Sequence, residues 1–293
     1  MRAPEAALRP LLHRPLLGFE HEAPAPSTWL EPARPALTLM IGVEGTLTAD
    51  CEALPEAWIG GLTRTYTAVS IGRRYVSVDV QLTPLGAYRI LGRPLGELAG
   101  LCVGLDDLLG SDLPERLRET PHWPGRLHLI ERFLLDRAAA GPTPTPAVER
   151  AVELLNDRGG NVRIGGLAAE LGCSRRYLTR RFGEEVGLPP KAIARQIRFA
   201  HVCRRVRSEP AAWGRLAAEA GYCDQAHLNR DFHQLAGTTP TEFVASLLPD
   251  PSTPGEKSHF SKTAAAHGLS LAPMPTPESA AAPPAGRGGP TLT

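Results

Sequence analysis

The chain is 293 residues long, 42% apolar and 22% charged, with a formal net charge of +1. That length accommodates two domains, each with its own core; the apolar fraction is ordinary for a soluble protein, and no apolar run approaches the roughly 20 residues of a membrane-spanning helix. A charge sum this close to zero excludes a uniformly basic nucleic-acid binder, so any such function must rest on a local concentration of charge.

At the N-terminus Leu11, Leu12, Leu16 and Leu17 are interrupted by His13, Arg14 and Pro15. This is not the apolar core of a signal peptide, and a cytoplasmic location with no membrane partner is expected. From about Leu16 to Leu82 the pattern favours short strands, with apolar stretches at Ala36 to Val43, Trp58 to Gly61, Tyr66 to Ile71 and Tyr75 to Leu82. In the last stretch Val76, Val78, Val80 and Leu82 alternate onto one face. A small antiparallel sheet or barrel fits this spacing. Arg89, Trp58 and Tyr66 have the chemistry to line a ligand pocket, although core packing or surface exposure is the commoner fate of such residues.

The next elements are helical: Ala87 to Leu91, Leu113 to Glu119 and Arg126 to Ala140. Asp106 and Asp107 read as a loop and helix cap rather than an acid/base dyad. Gly141-Pro142-Thr143-Pro144-Thr145-Pro146 is stiff and non-helical, so 141–146 reads as a linker. It divides an N-terminal domain, 1–140, from a second domain that opens with a helix from Ala147 to Asn156. The fold class is therefore α+β, a small β-barrel or sheet with helices followed by an all-α domain.

The all-α half contains one pattern twice. Leu167-Ala168-Ala169-Glu170 runs to Gly172 and the N-cap residue Ser174, and then Arg175-Arg176-Tyr177-Leu178-Thr179-Arg180-Arg181-Phe182 follows. Leu216-Ala217-Ala218-Glu219 runs to Gly221 and the N-cap residue Asp224, and then Gln225-Ala226-His227-Leu228-Asn229-Arg230-Asp231-Phe232 follows. A glycine that can turn left-handed ends the first helix of each copy, and Ser or Asp opens the second by accepting from its free N–H groups. Helix, tight turn and capped helix is the helix-turn-helix grammar. Leu178 and Phe182, like Leu228 and Phe232, are spaced i and i+4 and point into a core. The opposite faces present Arg, Gln and Asn, whose forks match base edges in the major groove.

Residues from about Ala147 to Leu248 resemble the DNA-binding domain of the AraC/XylS family of transcription regulators. The resemblance rests on the two motifs, the helix Pro190 to Val206 between them, and the ending Gly237-Thr238-Thr239-Pro240-Thr241-Glu242-Phe243. It implies seven helices, with a long linker helix setting the two recognition helices about one DNA turn apart, and double-stranded DNA as the partner. Base-reading positions carried over by the resemblance fall on Arg176, Thr179 and Arg180, and on Gln225, Ala226, Asn229 and Arg230. Arg175 joins the first set as a DNA contact, and Ser174, Arg181 and Arg198 are candidates for phosphate. Arg181 and Asp231 depart from the family pattern, which carries an apolar residue before the phenylalanine, and are expected at the edge of the small core.

Residues Pro10 to Arg137 also resemble the cupin-like N-terminal domain of a subset of these regulators, on the stretch Tyr75 to Gly96. That resemblance implies sensing of a small-molecule effector, or homodimerisation. His13, His21, His122 and His128 are scattered, so neither a metal site nor a cofactor is expected. Cys51, Cys102, Cys173, Cys203 and Cys223 show no metal-ligand spacing and read as free thiols, with Cys173 and Cys223 as small half-buried fillers. Beyond Leu248, nine prolines in the 45 residues of 249–293 mark a tail that cannot bury enough surface to fold.

Charge is distributed unequally between the motifs. From Arg158 to Arg207 there are twelve Lys/Arg against three Glu, whereas from Ser208 to Leu248 there are two Arg against five Asp/Glu. The first motif is therefore expected to anchor the chain on DNA and the second to contribute weaker contacts. Two alternatives stand beside a sequence-specific regulator. One is an adaptor with degenerate helix-turn-helix motifs; the other is an enzyme housed in the N-terminal domain. The enzyme has no support from a nucleophile elbow, P-loop or dinucleotide fingerprint, and no catalytic residue is assigned.

Overall fold

The computed structural model describes residues 6–110, 112–208 and 212–246, with the side chains of 207 and 208 left out; the tail assigned to 249–293 lies outside them. In chain order the strands are β1 (Leu17–Glu22), β2 (Ser27–Glu31), β3 (Leu37–Glu44), β4 (Leu47–Ala49), β5 (Glu52–Ala53), β6 (Ala57–Gly60), β7 (Thr67–Ile71), β8 (Arg74–Leu82) and β9 (Cys102–Gly104). They form two antiparallel sheets, ordered β1-β8-β3-β6-β9 and β2-β7-β4-β5.

The five-stranded sheet is buried on both faces, and side-chain alternation assigns each face its neighbour. Leu37, Leu39 and Ile41 of β3, Ala57 and Ile59 of β6, and Val78, Val80 and Leu82 of β8 face the helices. Met40, Trp58 and Tyr75 face the other way, where they meet Leu47, Val69 and Ile71 of the second sheet. The Val-rich alternation in β8 thus marks the helix-covered side. At the β4–β5 hairpin Asp50 and Cys51 both have positive φ, 48° and 71°, as a two-residue type I′ turn requires.

The helices of the N-terminal half are α1 (Pro84–Leu91), α2 (Leu105–Leu109), α3 (Leu113–Glu119) and α4 (Trp123–Ala140). Two of them begin three residues earlier than apolar periodicity indicates. In α1 the Thr83 hydroxyl accepts from Gly86 N–H and Pro84 occupies the first turn; in α4 Pro124 does the same. Proline is tolerated there because the N–H it lacks has no intrahelical partner. Asp106 and Asp107 lie in the first turn of α2, where carboxylates complement the helix dipole.

Among the described residues seven helices follow: α5 (Pro146–Asp157), α6 (Ile164–Glu170), α7 (Arg175–Val186), α8 (Pro190–Ser208), α9 (Trp213–Glu219), α10 (Gln225–Ala236) and α11 (Pro240–Ala245). The hydrophobic core does not divide at the linker. One continuous cluster runs from the sheet through Ile90, Leu95, Ile130 and Leu134 to Val148, Leu155, Leu167, Leu178 and Phe182. A second cluster collects Phe199, Val202, Leu216, Leu228, Phe232 and Phe243, with Ala33 as its contribution from the N-terminal half. The first motif therefore shares its core with the N-terminal domain, and the apolar boundary falls between the two motifs.

Candidate nucleic-acid interface

Each motif is built by the same local bonds. After α6, Cys173 N–H donates to Ala168 O at 3.0 Å and Gly172 N–H to Ala169 O at 3.1 Å. After α9, Tyr222 N–H donates to Ala217 O at 2.9 Å and Gly221 N–H to Ala218 O at 3.1 Å. This paired closure needs a left-handed residue, and Gly172 and Gly221 supply it at φ 65° and 78°. The second helices of the two motifs, α7 and α10, are then capped: Ser174 Oγ accepts from Tyr177 N–H at 3.1 Å, and Asp224 Oδ1 from His227 N–H at 2.6 Å. Leu178, Phe182, Leu228 and Phe232 are fully buried, which fixes the rotation of both helices about their axes.

That rotation places the predicted readers. On α7, Arg175, Arg176 and Arg180 are exposed and Thr179 is half-buried. On α10, Gln225, Ala226 and Arg230 are exposed and Asn229 is half-buried, its carbonyl oxygen buried without a hydrogen-bond partner among the described residues. Arg175, Arg176 and Arg230 make no ion pair among the described residues, while Arg180 Nη1 donates to Glu184 Oε1 at 2.9 Å. Cys223 is exposed and Cys173 half-buried, so the matched pair of fillers holds for Cys173 alone.

Three residues occupy positions that sequence reasoning did not foresee. Arg181, expected at the core edge and on phosphate, turns back along α7: it meets Glu184 and Glu185 at 2.7 Å each and donates to Thr145 Oγ1 at 2.8 Å. Glu185 is fully buried and accepts from Thr145 N–H at 2.7 Å, so the arginine neutralises a carboxylate that caps the start of α5. Arg198, the other phosphate candidate, is half-buried with its guanidinium 5.3 Å from the centre of the Tyr222 ring. Burial pushes the Tyr222 phenol up from its ordinary range, with the nearby Asp231 carboxylate acting in the same direction.

Asp231 does not sit at a core edge; it is buried and takes Arg195 of α8 at 2.6 and 2.7 Å on one oxygen. Of the two departures from the apolar pattern, Asp231 thus forms an ion pair that joins α10 to α8, while Arg181 pairs with carboxylates of its own helix and reaches the start of α5 through its hydrogen bond to Thr145. Arg158 with Glu170 and Arg205 with Glu219 are paired as well. Part of the positive count between 158 and 207 is therefore neutralised internally, while Arg163, Arg175, Arg176, Lys191 and Arg204 are exposed and make no ion pair among the described residues.

A cleft of about 630 Å³ opens between the two sheets, with Leu47, Leu54, Trp58 and Val69 in its apolar wall and Arg34 and Tyr66 among its polar lining. Trp58 and Tyr66 thus reach the cleft. Arg89 does not; it donates to Ala138 O at 3.3 Å under the end of α4. The segments around this cleft also meet the C-terminal helices: Ala33 N–H donates to Leu235 O of α10 at 2.8 Å, and Gln196 Nε2 of α8, the helix between the motifs, to Thr63 O at 2.6 Å. Among the described residues no group of His, Cys, Asp and Glu is arranged to hold a metal ion, and no helix is long and apolar enough to cross a membrane.

Residues 167–246 match the family described as a helix-turn-helix domain. Among solved structures the chain is similar to ToxT from Vibrio cholerae, at 11% identity over 78% of this chain and 97% of that one, with a TM-score of 0.47. It is similar at the same identity and TM-score to unsaturated fatty acid bound wild-type ToxT from Vibrio cholerae strain SCE256, over 83% of this chain and 97% of that one. The C-terminal domain of AraT, a response regulator from Geobacillus stearothermophilus, is 20% identical over 40% of this chain and 99% of its own length, with a TM-score of 0.35. No curated protein matches the chain.

Proposed function

We propose that this chain, a DNA-binding transcriptional regulator whose residues 167–246 form a helix-turn-helix domain of the AraC type, reads two successive major-groove segments with α7 and α10. The observation that carries the reading is the repeated geometry: a capped helix held by a buried Leu/Phe pair, with Arg176 and Arg180, or Ala226 and Arg230, on the face turned away from it and Arg175 or Gln225 exposed in the first turn. Arginine pairs bidentately with guanine and glutamine with adenine, each such contact contributing about 1–3 kcal/mol of discrimination. Ser174 at the N-cap and Arg175 beside it are suited to phosphate, since helix N-termini and arginines both favour anions. Arg181 and Arg198 act instead as internal braces for the reading helices.

The two faces differ in sequence, so the site read by one monomer is non-palindromic. Selecting bound duplexes from a random DNA pool with the full chain tests this, and a bipartite asymmetric site is the expected product. A perfect inverted repeat read by one monomer would overturn it. The intact chain is required because cutting at the linker would expose the apolar surfaces that α5, α7 and the N-terminal domain share.

The cleft between the sheets is the place for a small-molecule effector, because its lining segments also meet the C-terminal helices. Thermal-shift screening of the full chain against small organic compounds, repeated with Trp58→Ala, tests that assignment: a compound that stabilises both equally binds elsewhere. For homodimerisation the N-terminal half offers a groove of about 490 Å³ along α4, lined by Leu129, Arg132 and Phe133. Sedimentation of wild type against Phe133→Glu reads it. We place the protein in the cytoplasm and read it as a binder rather than an enzyme. An adaptor with degenerate motifs would show no sequence preference in competition against random duplex.

A further inference from the structure

Tyr177 stands out on α7 as an uncovered aromatic. It is 39% exposed and, with Leu101, one of two large apolar side chains left that open among the described residues. The comparison with α10 explains why. At the matched position His227 packs edge-on against Tyr222, with ring centres 5.1 Å apart and planes at 85°. The first motif has Cys173 where the second has Tyr222 after the turn glycine, so its turn offers no ring to cover Tyr177.

The helix geometry says where this ring points. At roughly 100° per residue, with Leu178 and Phe182 turned into the core, Arg176 and Arg180 face directly away from it. Tyr177 lies about 60° round from Arg180, on the side of Glu184, while Thr179 lies on the opposite flank. A helix about 10–12 Å across nearly fills a major groove about 12 Å wide. Side chains facing directly outward then meet base edges, and those on the flanks meet the sugar-phosphate walls. The Tyr177 backbone N–H is already committed to Ser174, which leaves the phenol O–H as its available donor.

We propose that Tyr177 is a DNA-backbone contact: its hydroxyl donates to a phosphate on the wall of the groove read by Arg176 and Arg180, and its ring covers the adjoining deoxyribose. The inference rests on the base-reading role of α7. It makes Tyr177 an anchor that carries no sequence information, because phosphates are the same at every step. The hydroxyl is neutral, so unlike an arginine it releases no counterion and leaves the salt dependence unchanged.

The test uses the full-length chain, the duplex selected from a random pool and a scrambled duplex of equal length. Tyr177→Phe is expected to bind both duplexes about tenfold more weakly, the loss of one hydrogen bond to a charged acceptor. Its salt slope should match wild type, and so should its thermal midpoint, since the ring stays. Arg180→Ala, run in parallel, should weaken the selected duplex more than the scrambled one and flatten the salt slope. Binding of Tyr177→Phe within twofold of wild type overturns the proposal, as does a loss confined to the selected duplex, which would make the tyrosine a base reader. If Arg176→Ala and Arg180→Ala also bind like wild type, the base-reading assignment of α7 itself fails.

Discussion

Arg195 and Asp231 form an ion pair whose two halves differ sharply in exposure, and that difference sets a measurable asymmetry. The Asp231 side chain is 2% exposed and the Arg195 side chain 27%. Both guanidinium contacts converge on Oδ1, at 2.6 and 2.7 Å, leaving Oδ2 buried without a hydrogen-bond partner among the described residues. Removing one partner of a buried pair is destabilising by about 3–5 kcal/mol because the other charge is stranded. Arg195→Ala strands a carboxylate with almost no access to water, so its effect falls in that range, about 3–4 kcal/mol. Asp231→Ala strands a guanidinium that water already reaches and also removes the unpartnered Oδ2, so it should destabilise by less, about 1–2 kcal/mol. Urea unfolding of the full chain, followed by helical circular dichroism, gives both numbers from the shift in midpoint at constant slope. The double variant Arg195→Met with Asp231→Leu should return close to wild type, since apolar replacement of a whole buried pair is often neutral or better. An Arg195→Ala variant no less stable than Asp231→Ala would refute the reasoning, because it would mean the buried carboxylate gains nothing from its arginine.

Three further outcomes follow from the interface. Arg180→Ala should lower affinity for a selected site by about 5- to 150-fold, the worth of a bidentate base contact, and Arg230→Ala by distinctly less in the more acidic surroundings of the second motif; equal losses in a titration at fixed salt would contradict the unequal division of labour. Glu184 holds both Arg180 and Arg181, so Glu184→Gln should tighten binding to random duplex about two- to fivefold, as expected from releasing surface pairs of up to about 1 kcal/mol, and a filter-binding series read at several salt concentrations would show it. The Glu242 carboxyl is held below the ordinary carboxylate range by Thr239 N–H and then by the Thr239 and Thr238 hydroxyls. Its capping contribution to α11 is therefore present above the unfolded value of about 4.3 and lost as pH falls through the lower folded value; Glu242→Gln should flatten that part of the acid-unfolding curve.

What could be read directly from the chain was whatever is decided within a few residues. The turn glycines Gly172 and Gly221, the caps Ser174 and Asp224, and the pairs Leu178/Phe182 and Leu228/Phe232 each act through backbone bonds or spacings of at most five positions. The Val76 to Leu82 alternation is local in the same way, and the strand it marks appears at Arg74–Leu82. Strands β1 and β2 carry no apolar stretch to single them out, being broken by Glu20, His21 and Glu22 and by Ser27, Thr28 and Glu31, and short β4, β5 and β9 have too few residues for periodicity. The role of Arg181 was hidden for a different reason: its partner Thr145 is 36 positions away, and an arginine on a recognition helix has the same local signature whether it turns outward or back.

The sequence by itself therefore determined the two motifs: two capped helices, each with an apolar side and a polar side, since capping and amphipathic spacing are properties of neighbours along the chain. Only the tertiary structure decided how those motifs are mounted. Gly141 to Pro146 has the composition of a spacer, yet a single apolar cluster passes across it and joins the first motif to the N-terminal sheet, while the second motif packs around Phe199 and takes only Ala33 from that half. Burial is a sum over contacts between distant segments, and composition does not reveal which distant surface a leucine will meet. The same holds for charge: twelve basic residues can be counted between Arg158 and Arg207, but which of them stay exposed and which are committed to Glu170, Glu185 or Asp231 depends on where the fold brings those carboxylates.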